Sequence, residues 1–197
     1  MYAGNFEQNI NLEYLDISNN EIDYIGISFI YKCVKIEYLD ISSNEISDIS
    51  KSAFNENVKL EYVDMSNNHI PKIPDLLSPK NLKHLDISKN KIVDVNSKIF
   101  GNDNNLEYFD LSNNEISYIR SNTFDKNGNL EYLDISSNEI VDISNSSFVN
   151  NKKLKYLNLN NNRITSPSLS SNLFEYNLSL EILNLDNKQW SNCFLNF

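Results

Sequence analysis

The sequence predicts an α/β-class solenoid: a parallel sheet with one short strand per repeat, joined across an outer face of short turns or 3₁₀ segments. Two observations predict it. A nine-residue stretch, Leu130-Glu-Tyr-Leu-Asp-Ile-Ser-Ser-Asn138, recurs from Leu12, Ile36, Leu60, Leu82, Leu106 and Leu154, with a degraded copy from Leu180. The starts fall 24 residues apart, except for a 22-residue step from Leu60 and a 26-residue step from Leu154. A fixed period of that size marks a repeat array. Within each copy, apolar residues alternate with polar ones over positions 3 to 6, which is the period of a strand.

Each element follows from its residues. In repeat 2 the apolar positions 1, 4, 6, 11 and 14 are Ile36, Leu39, Ile41, Ile46 and Ile49. Leu39 and Ile41 then point inward, and Tyr38 and Asp40 outward. One such strand per repeat, with a long crossover between, gives a parallel sheet with right-handed connections. Position 19 holds Ile30, Phe54, Phe100, Phe124, Phe148 and Phe174, an apolar spine beneath the outer arc. The outer segments are short and rich in Asn and Ser, so turns are expected there rather than full helices. The position-9 asparagines, from Asn20 to Asn162, can bridge the backbone of adjoining turns and are expected to be structural.

The pattern LxxLxLxxNxIxxIxxxxF resembles the leucine-rich repeat family, in its 24-residue class with a Phe spine. The resemblance covers about residues 6 to 188. It implies a curved horseshoe whose concave sheet binds other proteins, and it names no partner.

Two irregularities break the array. In repeat 3 the outer segment from His69 to Lys80 loses its Phe. Pro71, Pro74 and Pro79 favour extended backbone there, and Leu76 or Leu77 is expected to fill the spine. In repeat 7, Ile164 and Leu169 lie five apart instead of three, so Thr165 to Ser168 should bulge as a loop. Phe6 precedes Leu12 as Phe54 precedes Leu60, so residues 1–11 read as a partial repeat or an N-terminal edge. Residues 12–188 are the solenoid and 189–197 a tail. The stretch from Asn187 to Cys193 faintly resembles the start of a Cys-rich cap but lacks its Pro. A piece of a longer array is the favoured reading, and a truncated copy the other.

Composition narrows the partner. At 197 residues the formal charge is −10. Phosphate binding needs clustered Lys and Arg, so nucleic acid is not the expected partner. A basic partner, or simple solubility, fits better. Cys33 and Cys193 lie seven strand steps apart, ~30 Å at ~4.8 Å per step, too far to pair. That leans towards a reducing compartment. The N-terminus lacks a signal-peptide core and no apolar run approaches ~20 residues, so no membrane insertion is expected, and a complete chain would be intracellular. Sequons at Asn145 and Asn177 point weakly the other way. The abundance of Asn, Ile, Lys and Tyr suggests an AT-rich coding sequence.

The outward strand positions form columns. Position 3 is Tyr from Tyr14 to Tyr156 except for His84, position 5 is Asp until Asn158 and Asn184, and position 7 is mainly Ser. Three readings compete: default surface residues, a ligand surface of rigid tyrosines with carboxylates for a basic partner, or cation binding. The last is disfavoured because a flat ladder does not wrap an ion. Lys72, Lys80, Lys83, His84, Lys89 and Lys91 concentrate positive charge in repeats 3 and 4. Lys83, His84, Lys89 and Lys91 are therefore candidate partner-binding residues, with Tyr62, Asp64, Tyr108 and Asp110 on the flanking strands. No catalytic or cofactor motif is present, and His69 and His84 hold different repeat positions, so no catalytic residue, metal or cofactor is expected. The predicted function is a non-enzymatic protein-binding module. The alternative is a structural segment that self-associates through its repeat ends.

Overall fold

The computed structural model describes residues 6–27, 29–75, 79–95, 105–164 and 172–185. Eight strands form one parallel sheet in chain order: β1 (Tyr14–Asp16), β3 (Tyr38–Asp40), β5 (Tyr62–Asp64), β6 (His84–Asp86), β7 (Tyr108–Asp110), β9 (Tyr132–Asp134), β11 (Tyr156–Asn158) and β12 (Ile182–Asn184). Each is three residues long, with one inward side chain at its centre. Register is strict: Tyr14 pairs Tyr38, Leu39 pairs Val63, and Asp86 pairs Asp110. A slip of one residue would turn Leu39 or Leu85 outward, so burial fixes the pairing.

The outer face carries two small sheets that the repeat pattern does not signal. Strand β2 (Tyr24–Ile25) pairs with β4 (Asp48–Ile49), and β8 (Tyr118–Ile119) with β10 (Asp142–Ile143). Flanking bonds extend the first of them: Ser47 N–H donates to Asp23 O at 3.0 Å and Ser50 N–H to Ile25 O at 2.9 Å. In repeat 3 those two donor positions are Pro71 and Pro74, which have no N–H to give. The outer ladder stops there. Among the described residues no helix occurs, and the remaining outer backbone is turns and irregular coil.

The core lies between the sheet and the outer arc. Ile36, Leu39, Ile41 and Ile46 are fully buried, and the pattern repeats along the chain. Phe54, Phe124 and Phe148 form the spine. Phe124 stacks on Phe148 at 5.8 Å and Phe148 on Phe174 at 6.0 Å. In repeat 1 both Phe29 and Ile30 are buried, and Phe29 meets Phe6 edge-on at 5.8 Å. Each such side chain stabilises by about 1.5–3 kcal/mol relative to exposure. Phe100, Leu76, Leu77, the Thr165–Ser168 insert and the 189–197 tail lie outside the described residues.

Two columns of asparagine tie the coils together. Asn138 represents the first: its amide donates to Leu111 O, Ile135 O and Ser136 O, and accepts from Ile116 N–H at 3.0 Å. The second column sits three residues before each repeat start. Asn57 donates to Ile30 O and Cys33 O, Asn151 to Phe124 O and Asn127 O, and Asn177 to Phe148 O and Asn151 O, all within 3.1 Å. Cys33 and Pro79 stand in this column in repeats 1 and 3, and the buried Cys33 thiol points at Phe6 O, 3.6 Å away. The two sequons therefore differ: Asn145 is exposed on a turn, while Asn177 is buried with its amide engaged.

Candidate protein-binding face

The sheet exposes one continuous aromatic ladder. Tyr14, Tyr38, Tyr62, His84, Tyr108, Tyr132 and Tyr156 stack nearly parallel, with successive centroids 4.1 to 4.3 Å apart. The phenylalanines of the outer arc stand 5.8 to 6.0 Å apart from coil to coil. The coils therefore fan outward, and the sheet takes the concave side. Ring faces are covered by their neighbours, so the ladder presents ring edges and hydroxyls. Burial is the main reason that the phenols of Tyr62, Tyr108 and Tyr132 titrate above their ordinary value, which keeps those hydroxyls protonated.

Beside it runs the aspartate column, and the structure gives these residues a backbone task. From β1 to β9 the carboxylate accepts the N–H of the residue two positions on. Ser18 donates to Asp16, Ser42 to Asp40, Ser66 to Asp64, Ser88 to Asp86, Ser112 to Asp110 and Ser136 to Asp134, all at 2.8 to 2.9 Å. Asn158 does the same for Asn160 N–H at 3.1 Å, so the change to Asn keeps the acceptor. The bond closes an Asx turn at the strand's end. Position 8 follows in the left-handed region, with φ of 51° to 56° at Asn19, Ser43, Asn67, Lys89, Asn113, Ser137 and Asn161. Asn tolerates this backbone best among side-chain-bearing residues.

Burial against like-charged neighbours alters the column's acidity. Asp110 is pushed up to about 6, chiefly by burial, with Asp86 and Asp134 adding repulsion against the Ser112 hydrogen bonds. Burial likewise raises Asp64. At the exposed end the Ser18 N–H holds Asp16 below the usual carboxylate range. Burial lowers His84, opposed by the Asp64 charge, so its imidazole is neutral at pH 7.

The sequence-derived candidates divide into groups. Tyr62, His84 and Tyr108 are brought together, each neighbour 4.1 Å from the imidazole. Asp64 and Asp110 flank Asp86 in register. The lysines do not converge. Lys83 precedes β6 and reaches Glu61 on the neighbouring coil, Nζ to Oε2 2.8 Å. Lys89 and Lys91 follow β6 at its other end, Lys89 at the left-handed position. Lys72 lies in the Pro-flanked outer segment. Asp86 and Glu61 lie beside these candidates without having been named among them, and Lys155 repeats the Lys83 arrangement by pairing with Glu131 at 2.6 Å. The signal was present in the columns: Lys155 also replaces a Glu at position 2. Among the described residues no three His, Cys, Asp or Glu side chains converge as they would around a metal ion.

The leucine rich repeat family model matches residues 10–70, 80–140 and 128–189. The chain belongs to the leucine-rich repeat family. Among solved structures, the TLR13–ssRNA13 complex is similar at TM-score 0.81 and 24% identity, covering 91% of this chain and 26% of that one. A leucine-rich repeat protein of Leptospira interrogans aligns at TM-score 0.78 and 22% identity, over 90% of this chain and 44% of its own. Internalin C2 of Listeria monocytogenes aligns at TM-score 0.70 and 19% identity, over 94% and 79%. At these identities the likeness is one of fold, and the chain spans less than half the length of the first two. No curated protein matches the chain in sequence. Leucine-rich repeat proteins are generally non-enzymatic scaffolds, and the fold commonly serves protein interaction.

Proposed function

We propose that this leucine-rich repeat chain is a non-enzymatic module that binds a basic protein partner on its concave face. The observation that carries the proposal is the aromatic ladder, which offers rigid contact area at low entropic cost between two carboxylate columns. On one side run Glu13, Glu37 and Glu107 at position 2, and on the other the position-5 aspartates. Selectivity, in this proposal, resides where the repeat departs from itself, at Lys83, His84, Lys89 and Lys91, with Tyr62, Asp64, Tyr108 and Asp110 as the flanking contacts. Solved neighbours include a complex with single-stranded RNA and the Toll–Spatzle complex of Drosophila. The carboxylate columns favour the protein class for this chain, because they would repel phosphates.

The test is calorimetry at low salt with three probes: a lysine-rich peptide, a glutamate-rich peptide and a single-stranded RNA oligonucleotide. The lysine-rich peptide should bind, more weakly as salt rises, and E37K/E107K should weaken it. Tighter binding of the RNA or the acidic peptide overturns the proposal.

A further inference from the structure

The charge on the concave face is not uniform along the solenoid axis. From position 2 to position 10, Glu13, Asp16 and Glu21 give the β1 coil a formal charge of −3, and Glu37, Asp40 and Glu45 give the β3 coil −3. The β5 coil carries Glu61 and Asp64. The sign then reverses: Lys83, Lys89 and Lys91 against Asp86 leave the β6 coil at +2. Glu107, Asp110 and Glu115 return the β7 coil to −3, and the β9 coil matches it. Register pairing sets these coils side by side, so between β1 and β9 one basic band crosses an acidic face. The β11 coil, with Lys155, Arg163 and Asn158 in place of Asp, is basic again at +2.

We infer that the partner segment seated on this face between β1 and β9 runs along the solenoid axis with a basic–acidic–basic charge order, its acidic centre over strand β6. This rests on the concave-face reading proposed above and deepens it. The band lies on both margins of β6: Lys83 at its start beside Glu61, and Lys89 and Lys91 beyond its end. Between the margins His84 continues the aromatic ladder, so contact area is unbroken while the sign of the charge changes. A uniformly basic segment would match the coils on either side and meet like charge at β6, which costs selectivity and affinity together. A segment with two carboxylates at that place meets complementary charge from β1 to β9. The ladder from Tyr14 to Tyr132 comprises five steps of 4.1 to 4.3 Å. That span of about 21 Å is covered by roughly 6–7 extended residues at ~3.3 Å each.

Two nine-residue peptides of identical composition test the order of charge apart from its amount. In the first, KKKKEEKKK, the two glutamates sit inside the lysine run. In the second, KKKKKKKEE, they stand at the C-terminal end. Both are titrated into the wild-type chain and into K83E/K89N/K91E, whose β6 coil then resembles its neighbours, with a melting curve to show that the variant is folded. The expected result is that the wild type prefers the peptide with internal glutamates by on the order of fivefold, as two or three exposed charge pairs would give, and that the variant loses this preference. Equal binding of the two peptides to the wild type, or a preference that survives in the variant, overturns the charge order and leaves the basic-partner reading standing. Binding of neither peptide overturns both.

Discussion

The His84 ring lies 4.1 Å from that of Tyr62 and within 9° of parallel to it. The departure from tyrosine in the ladder is thus a change of chemistry without a change of shape. Tyr108 covers the opposite face at the same distance. Losing the imidazole removes two ring contacts, each worth about 0.5–1.5 kcal/mol. H84Y should therefore melt within error of the wild type at pH 7.5, whereas H84A should lose ~1–3 kcal/mol. Equal melting of H84A and H84Y would show that the stack contributes nothing to stability.

Asp110 titrates unusually, and the sign of its effect follows. Its folded pKa, about 6, lies above the unfolded value, mainly through burial. Its carboxyl group therefore contributes stability that is fully present below the unfolded value of ~3.9 and is lost as pH rises through about 6. Asn at this position keeps the acceptor that Asn158 uses towards Asn160. D110N should raise stability at pH 7 by about 1 kcal/mol, allowing for solvent, and flatten the profile between pH 4 and 6. Urea unfolding across that range decides it, and an unchanged profile rules it out.

His84 works in the opposite sense. Burial lowers its folded pKa, so its contribution is present above the unfolded value and is lost as pH falls through the folded one. H84Y removes this dependence without touching that of Asp110, and the two profiles can be separated by comparing H84Y with D110N.

Asn138 makes four hydrogen bonds from a buried site. N138A would strand Ile116 N–H, at about 1–3 kcal/mol for a buried donor left unsatisfied, while Leu111 O, Ile135 O and Ser136 O keep their bonds from Asn114, Asn162 and Asn113. The expected loss is about 1–3 kcal/mol, read from chemical denaturation. A loss under ~1 kcal/mol would mean that the column is decorative.

Pro71 and Pro74 occupy the positions at which Ser47 and Ser50 donate to the preceding coil. P71S/P74S should restore both donors and extend the outer sheet onto repeat 3. Hydrogen exchange at residues 71 and 74 reads this directly: slow exchange is expected, and exchange at the rate of an open loop would show that something other than the prolines ends the ladder.

Much of this architecture was legible because 24-residue recurrence constrains every coil at once. Leu39, Ile41 and Phe54 could be placed by their spacing, as could the column of Asn138. The second asparagine column was harder to read, since Cys33, Pro79 and Asp103 interrupt it and its members lie in turns rather than beside a strand. The two-residue outer strands leave too short a pattern to detect. Asp40 and Asp64 read as surface charge because an Asx turn is a side-chain-to-backbone bond, invisible in a row of outward residues. Lys89 read as part of a basic cluster, whereas its φ of 51° places it at a turn. Lys83 showed as a departure from Glu, but its partner Glu61 emerges only when coils are stacked in register.

The missing N–H groups of Pro71 and Pro74 have a mechanical meaning. Coils 2 and 3 are joined on the concave side by strand pairing and stacked rings, but the outer seam between them lacks the rungs that join coils 1 and 2 or 5 and 6. A load that straightens the horseshoe compresses its outer arc and opens its inner one, while a load that tightens it pulls the outer seam apart. The solenoid is therefore softer to tightening than to straightening at this joint.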